Sequence, residues 1–175
     1  FDHLLIRINN RKILEGIFTN FQTNLTFLDF CTIIDKIDKI GIKKVGDLLF
    51  EQGVSIKDID ILKELFLFNG SFQEKKDYIS KTIDMNDILI EGINELSFIM
   101  SQCTENLIIN NLVFDISLAR GLDYYTGATF EVGAQSGNVG SLSGGGRYDN
   151  LTEKFGVKNI SGVGMSLGLD RICLE

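Results

Sequence analysis

Apolar residues recur along the chain with two different periods, and the change falls near residue 111. Leu4, Ile6 and Ile8 alternate with other residues over 3–9, which predicts a strand. Asn10 is then placed to cap a helix whose Ile13, Leu14, Ile17, Phe18 and Phe21 recur at helical spacing. From about Leu25 to Glu105 the pattern stays helical. It runs through Phe30, Ile33, Ile34 and Ile37, then Leu48 and Leu49, then Ile59, Leu62, Leu65 and Phe66, and last Ile88, Ile93, Leu96, Ile99 and Met100. From Asn111 the period drops to about two. Residues 112–118, 128–132 and 161–169 predict strands divided by glycine-rich turns, and so a mostly antiparallel sheet.

Composition sharpens that division. Twelve of the 18 glycines lie from Gly121 onward, and proline is absent, so boundaries rest on periodicity. At 175 residues the chain fits one domain or a small domain with part of another. Hydrophobic residues at 44% and charged residues at 23% are ordinary for a soluble protein, and the cytoplasm is the expected location. The apolar runs are far shorter than a membrane span requires. The first residue is Phe1, so a start with Met and any targeting segment lie outside what the sequence addresses. Net charge is −7, of which residues 21–110 contribute −6, and this argues against a broad basic surface for polyanions. The lysines there read as solvated helix faces. Cys31, Cys103 and Cys173 are scattered and His3 is alone, so buried reduced thiols are expected and no metal set.

Three segments carry candidate chemistry. Residues 119–127 (ARGLDYYTG) follow a strand. Arg120 offers a planar fork of donors for phosphate or carboxylate, and Tyr124 and Tyr125 would point to opposite sides of an extended backbone. An Arg120–Asp123 pair with tyrosines in the core is the competing reading. Residues 140–149 (GSLSGGGRYD) read either as a glycine hairpin or as a phosphate cradle, without the Lys-Ser/Thr of a P-loop. In residues 162–171 (GVGMSLGLDR), Gly162, Gly164, Ser166 and Gly168 share one strand face, while Val163, Met165, Leu167 and Leu169 share the other. The apolar face should pack into a core. The nearly bare face leaves room for a flat ring or sugar, with Arg171 following at the start of a helix. The spacing is not a Rossmann fingerprint.

In this order the three segments resemble class II histidyl-tRNA synthetases, with residues 118–127 most similar to the eukaryotic-type form and residues 162–171 similar to class II motif 3. Arg7 to Leu14 resembles the stretch after motif 2. The resemblance implies an α+β fold, part of a class II aminoacyl-tRNA synthetase antiparallel sheet with flanking helices. Residues 1–20 and 111–175 would belong to the catalytic domain and residues 21–110 would form a small helical insertion near the tRNA acceptor end. It further implies that Arg120 reaches the histidine carboxylate and the α-phosphate of ATP, that Tyr124 and Tyr125 line the histidine pocket, and that Tyr148 closes it. Gly162, Gly164 and Gly168 would floor the ATP site, with Arg171 over the adenine and γ-phosphate. Asp170 stands where the family more usually has Glu. The implied partners are histidine, ATP with its Mg2+, the histidine tRNA and a second copy of the chain in a homodimer. Motifs 1 and 2 have no counterpart here, so the chain is expected to be a fragment, inactive alone. The alternative is a synthetase-like regulatory or tRNA-binding module without ligase activity.

Overall fold

A computed structural model describes residues 4–103, 111–121, 123–134 and 140–174. His3, one end of the expected first strand and the end of the expected helical region lie outside the described residues. Strand β1 (Leu4–Asn10) leads directly into α1 (Arg11–Phe18), because the Asn10 side chain accepts from the Lys12 N–H at 3.0 Å and starts the helix. Helices α2 (Phe27–Ile34), α3 (Ile37–Ile40), α4 (Ile42–Glu51), α5 (Ile56–Leu67), α6 (Phe72–Thr82) and α7 (Asp87–Cys103) follow within the stretch expected to be helical, α6 in a part where no apolar set marks it. Thr26 and Ser55 cap α2 and α5, and Ser71 with Glu74 forms a reciprocal capping box on α6.

The sheet is completed by β2 (Leu112–Phe114), β3 (Ala128–Ala134), β4 (Ser141–Tyr148) and β5 (Gly162–Leu167), with a short α8 (Leu169–Ile172) after it. Its strand order is β2-β1-β3-β4-β5. Three pairings are antiparallel. β1 and β2 are parallel, because the helices between them form a long crossover connection.

Two elements differ from the sequence expectation for visible reasons. The strand expected over 112–118 stops at Phe114, because the Asp115 carboxylate takes the Ser117 N–H at 2.9 Å and turns the chain. The run Gly144, Gly145 and Gly146 lies inside β4 rather than at a hairpin tip.

The buried side chains of β1, β2, α1 and the helices 27–103 make one apolar cluster, including Ile8, Phe30, Leu65, Leu89 and Phe114. Cys31 belongs to it, and burial pushes its thiol up to about 11. Cys103 is half-buried and Cys173 exposed, so burial of all three thiols is not what the fold delivers. The apolar face of β5 is also uncovered: Val163 is 75% exposed, Met165 60% and Leu167 64%, because β5 is the edge of the sheet and no described element lies across that face.

Candidate active site

Strand register decides which residues meet. Arg7 on β1 sits beside Glu131 on β3, Glu131 beside Gly144 on β4, and Gly144 beside Ser166 on β5. The next row on the same face is Asn9, Thr129, Gly146 and Gly164, and beyond it Tyr148 pairs with Gly162. The segment bearing Arg120 is tied down onto this face. Asn9, fully buried, donates from Nδ2 to the carbonyls of Ile116 and Leu118, both at 3.0 Å, while its Oδ1 has no hydrogen-bond partner among the described residues.

Arg120 reaches Glu131 on β3, with Nη1 donating to Oε2 at 3.0 Å. The other carboxylate oxygen, Oε1, accepts from Arg7 Nη2 at 2.8 Å. Arg7 in turn reaches Asp38 at the helical side at 2.6 Å and Asp115 at 3.3 Å. Burial opposes the Arg7 charge, but the hydrogen bonds from Asp38 and Glu131 and the charges of Asp38 and Asp115 outweigh it and raise its pKa. Asp35, at the end of α2, moves the other way for a carboxylate: burial raises its pKa against the pull of Arg120 and Lys39.

A cavity of about 880 Å³ opens on this face, lined among others by Arg7, Arg120, Glu131, Asp35, Asp38 and Arg171. Arg171 lies at the start of α8, as expected, and donates from Nη1 to the Ser141 carbonyl at 2.7 Å. Gly168 is held beside it by its N–H to the Leu142 carbonyl at 2.8 Å.

The tyrosines gather on the other side of Arg120. A turn at Asp123 and Tyr124 replaces extended backbone, so Tyr124 and Tyr125 do not diverge: their ring centroids are 4.6 Å apart, and Tyr124 meets Tyr148 edge-on at 6.3 Å. Tyr125 is 5% exposed, and its ring lies on Gly146. Burial raises its phenol pKa, the neighbouring Tyr124 adds to this, and Arg120 opposes it.

One expectation is corrected by this geometry. The glycine face of β5 is not left open at Gly162 and Gly164. The Tyr148 ring, projecting from the strand paired with it, covers both: a Cβ at Gly162 would lie 2.4 Å from Tyr148 Cε2, and one at Gly164 would lie 2.7 Å from its hydroxyl. Arg7 and Glu131 carry no site role in the sequence reading, and Gly144 enters it only within the expected hairpin or cradle of residues 140–149. Alternation of Thr129 and Glu131 against Phe130 and Val132 marks an inward polar face, but the partner of Glu131 on β1 is 124 residues away and leaves no local signal.

A strand-ordered glycine face, an arginine pair on one carboxylate and a tyrosine cluster sit on the sheet of a class II aminoacyl-tRNA synthetase fold, and solved structures share it. Histidyl-tRNA synthetase from Nostoc sp. PCC 7120 superposes with a TM-score of 0.86 at 30% identity over 98% of this chain and 41% of that one. An ATP phosphoribosyltransferase regulatory subunit/histidyl-tRNA synthetase from Bacillus halodurans C superposes at 0.76 over 96% of this chain and 43% of that one, with 17% identity, a likeness of fold alone.

The sequence profile of the family described as histidyl-tRNA synthetase matches residues 2–172, and the chain belongs to that family. Histidine–tRNA ligase of Azobacteroides pseudotrichonymphae is 45% identical over 95% of this chain and 36% of its own length. That of Flavobacterium johnsoniae is 44% identical over 97% of this chain and 36% of its own. The chain therefore spans little more than a third of these relatives. They are bacterial, which overturns the eukaryotic-type assignment of residues 118–127.

Proposed function

We propose that the chain carries the histidine- and ATP-binding part of a histidine–tRNA ligase, which joins histidine to ATP as histidyl-adenylate and transfers it to the cognate tRNA. The observation that carries this reading is the placement of Arg120: its guanidinium lies on the inner sheet face between a cavity that also holds Arg171 and a cluster of three tyrosines. Negative charge builds at the α-phosphate as the histidine carboxylate attacks. A guanidinium already in place stabilises that charge without reorganising at the moment of reaction.

Tyr125, beside Tyr124 and Arg120, lines the histidine pocket, and Tyr148 closes it over Gly162 and Gly164. These two glycines serve the site by seating that ring. ATP occupies the Gly168 and Arg171 end, where Arg171 faces the adenine and γ-phosphate. Magnesium arrives with ATP on its phosphates. The carboxylate next to Arg120, Glu131, has each oxygen engaged by an arginine and is poorly suited to hold a cation. The histidine tRNA, a homodimer built by the rest of the protein and a cytoplasmic location complete the reading. The domain division at residues 20 and 110 goes with it, the helices being the part nearer the tRNA. No described helix is long and apolar enough to cross a membrane.

Changing Arg120 tests the proposal. In the full-length protein, Arg120→Ala should slow histidine-dependent pyrophosphate exchange by roughly 10²–10³ at saturating substrates. Transfer from preformed adenylate should change far less. Normal exchange in that variant would overturn the role given to Arg120, whereas a parent protein that performs no exchange would favour the module without ligase activity.

A further inference from the structure

An arginine side chain has many rotamers, and a group that must meet a developing charge needs to be held in one of them. Two features at Arg120 do this and have no other evident use. The first is Glu131. Its strand is flanked by β1 and β4, so its carboxylate is fixed at the middle of the sheet, and its two oxygens receive one guanidinium each, Arg7 at 2.8 Å and Arg120 at 3.0 Å. Arg7 is itself held in place beside Glu131, because Asp115 accepts from its Nη1 and Asp38 from the same Nη2 that serves Glu131. The row Asp38, Arg7, Glu131, Arg120 is thus a chain of alternating charges running from α3 across the sheet.

The second feature is Gly144. A Cβ there would lie 2.9 Å from Nη1, 3.0 Å from Nη2 and 3.2 Å from Cζ of Arg120. All three distances being short means that the guanidinium lies flat on the β4 backbone, in space that any other residue would fill. Glu131 fixes the edge of the group and Gly144 fixes its plane.

We propose that Glu131 and Gly144 are positioning residues that seat the Arg120 guanidinium for adenylate formation, with Arg7 bracing Glu131 from outside. The proposal rests on the reading of Arg120 given above and adds to it the groups on which that arginine depends. A displacement of well under an ångström suffices for an effect, since a misplacement of about 1 Å can cost about 10²-fold in rate.

The experiment is a pair of mutant cycles in the full-length protein, followed by histidine-dependent pyrophosphate exchange. Gly144→Ala is the cleaner change: it removes no hydrogen-bonding group, and the atoms it displaces are the far end of a flexible side chain. Gly144→Ala and Glu131→Gln should each lower kcat for exchange by about 10-fold to 10²-fold, with KM for histidine and for ATP moved less than about 3-fold. In the Arg120→Ala background both losses should vanish, because a residue acting through Arg120 has nothing left to act on. Losses that multiply with that of Arg120→Ala, or a Gly144→Ala protein at full rate, overturn the proposal even if Glu131→Gln fails to fold. Normal exchange by Arg120→Ala alone overturns instead the reading on which the proposal rests.

Discussion

A glycine that never reaches a turn still leaves a vacancy in a strand, and the inner face of this sheet uses several of them as seats. Arg120 lies over Gly144, Tyr125 over Gly146, and Tyr148 over Gly162 and Gly164. Glycine is poor strand material, so a run of three reads from sequence as a hairpin, and nothing local tells that large side chains from elsewhere fill the gap. The alternation in β5 was legible because it depends on one strand alone. The opposite case, a charge in a place meant for apolar groups, is Lys75. It is 8% exposed, and Nζ donates to the Phe114 carbonyl at 2.5 Å, fastening α6 to the end of β2. Burial lowers its pKa below the ordinary 10.5, with Asp115 opposing. The unfolded chain therefore binds more protons than the folded one between the lowered pKa and 10.5, and in that window stability should rise with pH. Denaturant unfolding between pH 7 and pH 10.5 checks this: the rise in stability with pH should be smaller in Lys75→Met than in the parent. Parallel pH profiles for the two proteins would show that Lys75 is not penalised by burial.

Helix α7 packs against α1 at two glycines facing each other's neighbours. A Cβ on Gly16 would lie 2.5 Å from Leu89 Cβ and 2.7 Å from its Cα, and one on Gly92 would lie 2.8 Å from the Ile13 nitrogen. These are backbone or near-backbone atoms, so the helices themselves must separate to admit a methyl group. Alanine in place of a helical glycine gains up to ~1 kcal/mol in propensity, whereas overpacking costs about 1–3 kcal/mol. The second effect should win, and thermal melting should find both Gly16→Ala and Gly92→Ala destabilised. Gly46 on α4 is the contrast, since its nearest neighbours, Ile59 Cγ2 and Lys63 Cε at 3.1 Å, are side-chain atoms that can yield. Gly46→Ala should be neutral or stabilising. The helices were legible from the 3.6-residue period and the strands from the two-residue period. Which helix lies on which was not, because helical periodicity marks a buried face without naming what covers it. The path of the chain after β2 was hidden for a related reason: the Asn9 amide that donates to the Ile116 and Leu118 carbonyls comes from a strand 107 and 109 residues earlier.

Across the whole molecule the two faces of the sheet are treated differently. The inner face is filled by Arg7, Glu131, Arg120 and the tyrosines, and the other is covered by helices only near β1, where Ile8 and Phe114 are buried. At the far edge, Val163, Met165 and Leu167 remain in water, with Phe155 at 80% and Leu169 at 70% exposure nearby in sequence. A contiguous apolar surface on an edge strand is a contact surface or an aggregation hazard. The expectation that this side of β5 packs into a core came from alternation, which specifies that a face is apolar and says nothing of its cover. Curated relatives extend well beyond the matched region, this chain spanning 36% of their length in two cases, and cover by a segment like the remainder of those relatives is the expectation to test. A charge at Leu167 separates this from a free surface. In the 175-residue chain alone, Leu167→Asp should lower aggregation and dye binding to exposed apolar surface, because it breaks an unprotected stripe. In the full-length protein the same substitution would bury an unpaired carboxylate in place of about 1.5–3 kcal/mol of apolar burial, and it should lower the unfolding temperature clearly. An unchanged melting curve of full-length Leu167→Asp would mean that β5 faces solvent there as well.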